Sequence, residues 1–221
     1  MFAGAGGGRS FGDGVDVGGE IPNPISRMAN VETIEQAFPV RYLFRRRRID
    51  SGGPGTYRGG VGMEMALVPH RAQDGGLSYV ISGKGQRHPM SDGLAGGYPG
   101  APNVYIWVHN NEVDAGNTEP TFAVTLEDLP GPKEKVSWGV YPLAGRDVLY
   151  IAWNGGGGYG DPGKRAPASV LADVGERLVS RYAAEHVYGV VIEPNGSAID
   201  VQATKSRRQE SATSRQRMAA E

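Results

Sequence analysis

Cysteine is absent from this chain of 221 residues. That excludes a disulfide framework, thiolate nucleophiles and thiolate metal sites. Long apolar runs are missing as well, and nothing approaches the ~18 consecutive apolar residues of a membrane-spanning helix. The opening, Met1-Phe2-Ala3-Gly4-Ala5-Gly6-Gly7-Gly8, has neither the charged nor the apolar region of a secretory signal. These absences fit a cytoplasmic protein, and they make the sequon Asn195-Gly196-Ser197 a turn. Excess charge of either sign is lacking: 23 Lys and Arg face 24 Asp and Glu, for a net charge of −1. No global field therefore points to nucleic acid or to an anionic membrane. Histidine is scarce. His70, His88, His109 and His186 are the four present, and none stands at metal-ligand spacing from another. No metal site is expected in this chain.

What the chain has instead is glycine and proline, 35 and 15 residues respectively. They follow no period and alternate with short apolar stretches, so they read as punctuation between strands. Strands are expected at Phe38–Phe44, Met63–Pro69, Leu77–Ile81, Val104–Val108, Thr121–Leu126, Lys135–Val140 and Asp147–Trp153. Gly83 to Pro102 reads as one long loop. The period then changes. Pro167 suits a first helical position, and Val170, Leu171, Val174 and Leu178 recur at helical spacing. Ser180 is a candidate N-cap for a second short helix, and Gly189 its stop. Val190–Glu193 reads as a last strand. Beyond Gln202 the only large apolar residue is Met218, so this tail is expected to stay disordered. The fold class is α+β: a β-rich domain of many short strands with Gly/Pro loops and a C-terminal helical pair.

The most informative phrase is Gly155-Gly156-Gly157-Gly158-Tyr159-Gly160-Asp161-Pro162, directly after the apolar run Val148–Trp153. Glycine lets backbone approach backbone or ligand closely. Gly155-x-Gly157-x-x-Gly160 fits a dinucleotide fingerprint, but Asp161-Pro162 delays the helix that should follow, and no acidic residue closes a second strand. Gly158-x-x-x-x-Gly163-Lys164 imitates a phosphate loop, yet Arg165 stands where Ser or Thr must hold Mg²⁺. Pro162 also removes an amide donor. Two readings remain: a glycine-rich turn packed against another element, or an active-site wall.

Other candidates are weaker. His88 follows Arg87 in the longest loop and is the best-placed histidine for a functional role. His186 falls on the second helix as a half-buried structural residue. Arg45-Arg46-Arg47-Arg48 has no aromatic platform beside it. Strand alternation sends two arginines to each face, as at a solvated edge or at an interface with an acidic partner. Glu32 and Glu35 read as a polar helix face.

Several phrases together resemble the hydantoinase B family, the B-type subunits of ATP-dependent hydantoinases, 5-oxoprolinases and ketone carboxylases. They are Asn30-Val31-Glu32 with Glu35 and Pro39; Asp50-Ser51-Gly52-Gly53-Pro54-Gly55-Thr56-Tyr57-Arg58-Gly59-Gly60-Val61-Gly62; and Arg87 with Gly93-Leu94-Ala95-Gly96-Gly97 and Pro99-Gly100. Gly155 to Pro162 with Arg165, Asp173-Val174, Val179-Ser180, Ala184 and Tyr188-Gly189-Val190 close the series. The resemblance runs over residues 4 to 193 and is to the C-terminal part of such a subunit. Arg177 departs from the pattern, since the family usually has Gly there.

Composition and the resemblance together give an organisation: a loop-rich segment over residues 1–30, a hydantoinase-B-like module over 31–193, and a disordered basic tail over 202–221. The resemblance implies a mechanism in which an A-type partner binds ATP with Mg and phosphorylates an amide or enolate oxygen. A B-type subunit then carries out hydrolysis of a cyclic amide or, alternatively, carboxylation of a ketone such as acetone or acetophenone. A third reading is a non-catalytic assembly module. A divalent metal would be held outside this chain, in the missing N-terminal half of the B-type subunit. The candidate catalytic residues are Arg58, Arg87, His88 and Asp161. The candidate cofactor contacts are Gly155, Gly156, Gly157, Gly158 and Gly160. Expected partners are the A-type subunit and the missing half, with neither nucleic acid nor membrane.

Overall fold

The computed structural model describes residues 4–18, 29–72, 77–109, 124–144 and 147–220, with side chains to residue 211. Helix α1 (Val31–Ala37) leads into β1 (Val40–Arg47), β2 (Met63–Pro69), β3 (Leu77–Ile81), β4 (Val104–Val108), β5 (Lys133–Lys135), β6 (Gly139–Leu143) and β7 (Val148–Ala152). A single 3-10 turn (Pro162–Lys164) and helices α2 (Pro167–Gly175), α3 (Arg181–His186) and α4 (Val201–Ala220) complete the chain. This is the β-rich α+β fold expected.

The strands form a five-stranded sheet in the order β1-β2-β7-β4-β5 and a separate ribbon of β3 and β6. All pairings are antiparallel. A register shift between Tyr42 and Phe44 bulges the edge strand β1. Strand alternation sends Met65, Leu67, Leu149, Ile151 and Trp107 to one face of the large sheet, where they pack with Ile81 and Leu143 of the ribbon. The other face buries Ala66, Val68, Val108 and Val148 against Leu129. A third cluster, centred on Val170, Val179, Ala184 and Tyr188, joins α2 to α3.

Some elements differ from expectation. The apolar stretch Lys135–Val140 is not one strand. β5 ends at Lys135 on the edge of the large sheet, and β6 begins at Gly139 in the ribbon, so the chain changes sheets between them. Thr121–Leu126 lies partly outside the described residues, and its described part, residues 124–126, is irregular. Val190–Glu193 makes only the isolated bridge Ile192↔Ile199. The tail expected to be disordered is helical over Val201–Ala220. Asp200 Oδ1 accepts from Ala203 N at 2.8 Å and caps it. Thr204 Oγ1 accepts from Val191 N at 3.0 Å, and Arg208 donates to the carbonyls of Tyr188 and Arg165. Polar anchors and good helix formers order this segment without a large apolar face.

The basic run divides as strand geometry requires. Arg46 Nε lies 2.6 Å from Glu64 Oε1 on one face. Arg45 donates to the Ala29 carbonyl and Arg47 to that of Glu176. Arg48 reaches the carbonyls of Pro102 and Trp153. His186 is exposed rather than half-buried, and it stacks on Tyr182 with ring centroids 4.2 Å apart.

Candidate functional site

Strand β7 delivers the chain into the phrase Asn154–Gly160, and here the backbone itself becomes the core. Gly155 through Gly158 are buried. Gly155 N donates to Ala101 O at 3.1 Å, Gly156 N to Gly60 O at 3.0 Å, Gly158 N to Tyr98 O at 2.9 Å and Gly160 N to Leu94 O at 2.9 Å. The carbonyls are used too: Gly53 N donates to Gly156 O at 2.7 Å, Gly8 N to Gly157 O at 2.8 Å and Leu94 N to Gly158 O at 2.9 Å. Further bonds run from Gly6 to Val15 O and from Gly60 to Gly6 O. Four glycine-rich segments, around residues 4–17, 51–62, 91–101 and 154–160, thus lie side by side as one bundle.

Room explains the glycines better than backbone freedom. Within the phrase only Gly160, at φ +77°, takes a left-handed conformation. A Cβ on Gly155 would run into the Ser51 carbonyl, and one on Gly156 into the Gly6 carbonyl, both well inside van der Waals contact. Neither obstacle is a flexible side chain end. The amides of Gly155, Gly156, Gly158 and Gly160, which a phosphate cradle would need, already donate to backbone carbonyls.

An ionic buckle closes the bundle against α2. Asp173, 6% exposed, accepts from Arg58 Nε at 3.0 Å through Oδ1, and from Arg165 Nε at 3.0 Å and Nη2 at 2.7 Å through Oδ2. The N-terminal arm supplies two more carboxylates. Asp16 takes both terminal nitrogens of Arg58, at 2.7 and 3.2 Å. Asp13 takes both of Arg165, each at 2.7 Å. Asp13 Oδ1 also accepts from Arg58 N at 2.9 Å, and Asp16 Oδ1 from Val61 N at 2.9 Å. Such bidentate, charge-assisted contacts are the strong kind. Burial alone would raise the Asp13 carboxyl, but the hydrogen bond and charge of Arg165 and the charge of Arg58 hold it below the ordinary aspartate range. Burial would lower both guanidiniums, yet Asp16 and Asp173 push Arg58 up, and Asp13 and Asp173 push Arg165 up.

The structure therefore separates the residues that sequence reasoning grouped. Arg58 sits in the buckle with its Nε, Nη1 and Nη2 engaged. Arg87 and His88 are exposed on the 82–103 loop. Asp161 caps the 3-10 turn, its Oδ1 accepting from Gly163 N at 2.8 Å, while its carbonyl accepts from Thr56 Oγ1 at 2.7 Å. The partners of Arg58 went unforeseen. The only local signal for them was Asp13-Gly-Val-Asp16, two acids spaced within a glycine-rich stretch. A second buried carboxylate was also missed: Glu64 accepts from Arg46 and, at 2.5 Å, from Tyr150 Oη.

Among the described residues, two clefts, one beside Arg47 and Arg177 and one beside Lys164 and Arg208, hold about 210 Å³ each, below the roughly 300–1,000 Å³ of small-molecule sites. Among the same residues no three His, Asp or Glu side chains converge as a cation site requires. Nor is any described helix long and apolar enough to cross a membrane.

Comparison with known proteins completes the description. The family described as hydantoinase B/oxoprolinase matches residues 1–162. The acetone carboxylase alpha subunit of Xanthobacter autotrophicus is 33% identical over 197 residues, 81% of this chain and 25% of that protein. The caprolactamase subunit beta of Pseudomonas jessenii is 35% identical over 185 residues, 81% of this chain and 28% of that protein. Nucleotide-free acetone carboxylase superposes with a TM-score of 0.79 at 28% identity, over 96% of this chain and 30% of that one. The ATP-dependent caprolactamase of P. jessenii superposes with a TM-score of 0.66 at 26% identity, covering 94% of this chain and 33% of the other. The chain thus spans about a quarter to a third of the length of the relatives it matches. With its glycine phrases woven into one bundle and this likeness along nearly its whole length, the chain belongs to the hydantoinase B/oxoprolinase family.

Proposed function

We propose that this chain is a section of a B-type subunit in an ATP-dependent complex that hydrolyses a cyclic amide by way of a phosphorylated intermediate. ATP and Mg belong to an A-type partner, and any divalent metal to polypeptide outside this chain. Its own contribution is a rigid scaffold, with the 82–103 loop presenting Arg87 and His88 outward. The observation that carries the reading is one of proportion: 96% of this chain corresponds to a section that makes up only 30% of a much longer carboxylase chain. Identity of 35% to a caprolactamase subunit supports the amide as substrate class. Arg58, with each guanidinium nitrogen engaged, and the internally bonded amides of Gly155, Gly156, Gly158 and Gly160 support the scaffold role.

A second reading has an observation of its own. The superposition on acetone carboxylase, at 0.79, exceeds that on caprolactamase, at 0.66. On that reading the complex carboxylates a ketone and this chain plays the same part. Reconstitution decides. The chain is combined with the A-type subunit and the rest of the B-type subunit, then given a lactam, or acetone with labelled bicarbonate, while ADP release is followed. Ring-opened product is expected only when this chain is present. Label fixed into acetone selects the second reading. Full turnover without this chain, or turnover by this chain alone, overturns both.

A further inference from the structure

The β3–β6 ribbon is apolar on both sides. Its inner face buries Ile81 and Leu143 against the large sheet. On its outer face Val80 stands directly opposite Val140, and they are 62% and 67% exposed. Trp138, two residues before Val140, is 68% exposed. Cross-strand pairing sets Val80 and Val140 side by side on this face, and Trp138 stands at the end of the ribbon, one residue before Gly139, the first of β6, so that three large apolar side chains are exposed on and beside the ribbon.

We infer that this patch is a docking surface, and that its occupant is the polypeptide carrying the rest of the B-type subunit. The inference rests on the scaffold reading above and names the surface through which the scaffold is attached. Three observations support it. The ribbon has only two described strands and packs one face on the large sheet, so its stability comes from the layers that cover it. A ribbon apolar on both faces is a middle layer, lacking the cover that a second apolar face demands. Relatives of this chain are three to four times its length, so each carries a large body of polypeptide to supply that cover. Tryptophan is also among the residues that dominate association energy, and Trp138 is exposed here. Among the described residues β3 and β6 each pair only with the other, which leaves ladder edges open to strand addition by the incoming chain.

The tryptophans allow a direct test. Trp107 and Trp153 are 6% and 7% exposed, against 68% for Trp138. Iodide quenching therefore reports mainly on Trp138. The chain is titrated with the polypeptide from its own genome that carries the rest of the B-type subunit, and association is followed by calorimetry and by quenching. Quenching is expected to fall on association. Combining Val80→Thr, Val140→Thr and Trp138→Ser is expected to weaken association by on the order of tenfold or more. Threonine keeps strand propensity, and circular dichroism checks that the variant folds. Tyr182→Ser, at a position 71% exposed on α3, is expected to change nothing. If the chain associates with Trp138 still open to iodide and the triple variant binds as tightly, the surface is wrong while the subunit reading survives. If the wild type does not associate, both fall. A concentration-dependent homodimer abolished by Trp138→Ser would make the occupant a second copy and overturn the inference.

Discussion

Arg58 Nε donates to Asp173 Oδ1 at 3.0 Å, joining the glycine-rich 51–62 segment to helix α2 across 115 residues. Arg165 shares the same carboxylate. Asp173 thus ties two guanidiniums to α2 at once. Removing one member of a buried ion pair leaves an uncompensated charge and costs about 3–5 kcal/mol. Asp173→Ala is expected to lose that much in denaturant unfolding. Asp13→Ala, on the more exposed arm, is expected to lose clearly less.

The glycine bundle predicts opposite signs for one substitution. Gly156→Ala drives a Cβ into the Gly6 carbonyl, a backbone clash expected to cost more than about 4 kcal/mol. Gly175 ends α2, and a Cβ added there would meet nothing within 4 Å. Gly175→Ala is expected to stabilise by about 0.5–1 kcal/mol. Thermal melts of the two variants check both.

Arg177 is a local misfit. Leu178 N donates to Asp173 O at 2.8 Å and Arg177 N to Val174 O at 3.1 Å, the paired bonds of a Schellman C-cap. The cap requires a left-handed residue, and Arg177 adopts φ +58°. A side chain costs roughly 1–2 kcal/mol in that conformation. Arg177→Gly is expected to raise stability by about 1 kcal/mol, read as a shift in the denaturation midpoint.

Acid should release the N-terminal arm. The folded Asp13 carboxyl lies below its ordinary range, so its contribution is complete above about pH 3.9, the unfolded value. It is lost as pH falls through the folded value. Asp13→Asn at pH 7 is expected to reproduce part of the acid state. The measurement is the melting midpoint against pH for both proteins.

Arg87 and His88 are exposed, so alanine at either is expected to move stability by less than about 0.5 kcal/mol. In the reconstituted complex, a turnover loss at unchanged melting temperature would give them a catalytic part. Arg58→Ala is expected to lose turnover and stability together, as a buckle residue must.

Much of the fold was legible because its signals are local. β2, β3 and β4 fall where the apolar runs end, and Ser180 caps α3 by accepting from Ala183 N at 3.0 Å. Gly189 takes φ +64° just past that helix, two residues beyond the C-cap Val187 rather than at the stop expected. What the sequence hid was partnership at a distance. The glycine phrase signals close approach, and no local signal says that the approaching backbone is residues 6, 53, 60 and 98 of the same chain. The charge partners of Arg58 lie 42 and 115 residues away. The Lys135–Val140 stretch reads as strand in sequence, yet residues 136–138 leave strand conformation as the chain crosses from one sheet to the other. Helix α4 was missed because its anchors are hydrogen bonds to the carbonyls of Tyr188 and Arg165, which a count of large apolar residues cannot register.

The scaffold role stands on the glycine phrase being an internal bundle rather than a nucleotide cradle. Amide hydrogen exchange at Gly155, Gly156, Gly158 and Gly160, with and without ATP and Mg, tests that most directly. Slow exchange in the chain alone, unchanged by nucleotide, is the predicted result. Fast exchange that becomes protected only when ATP is added would contradict it.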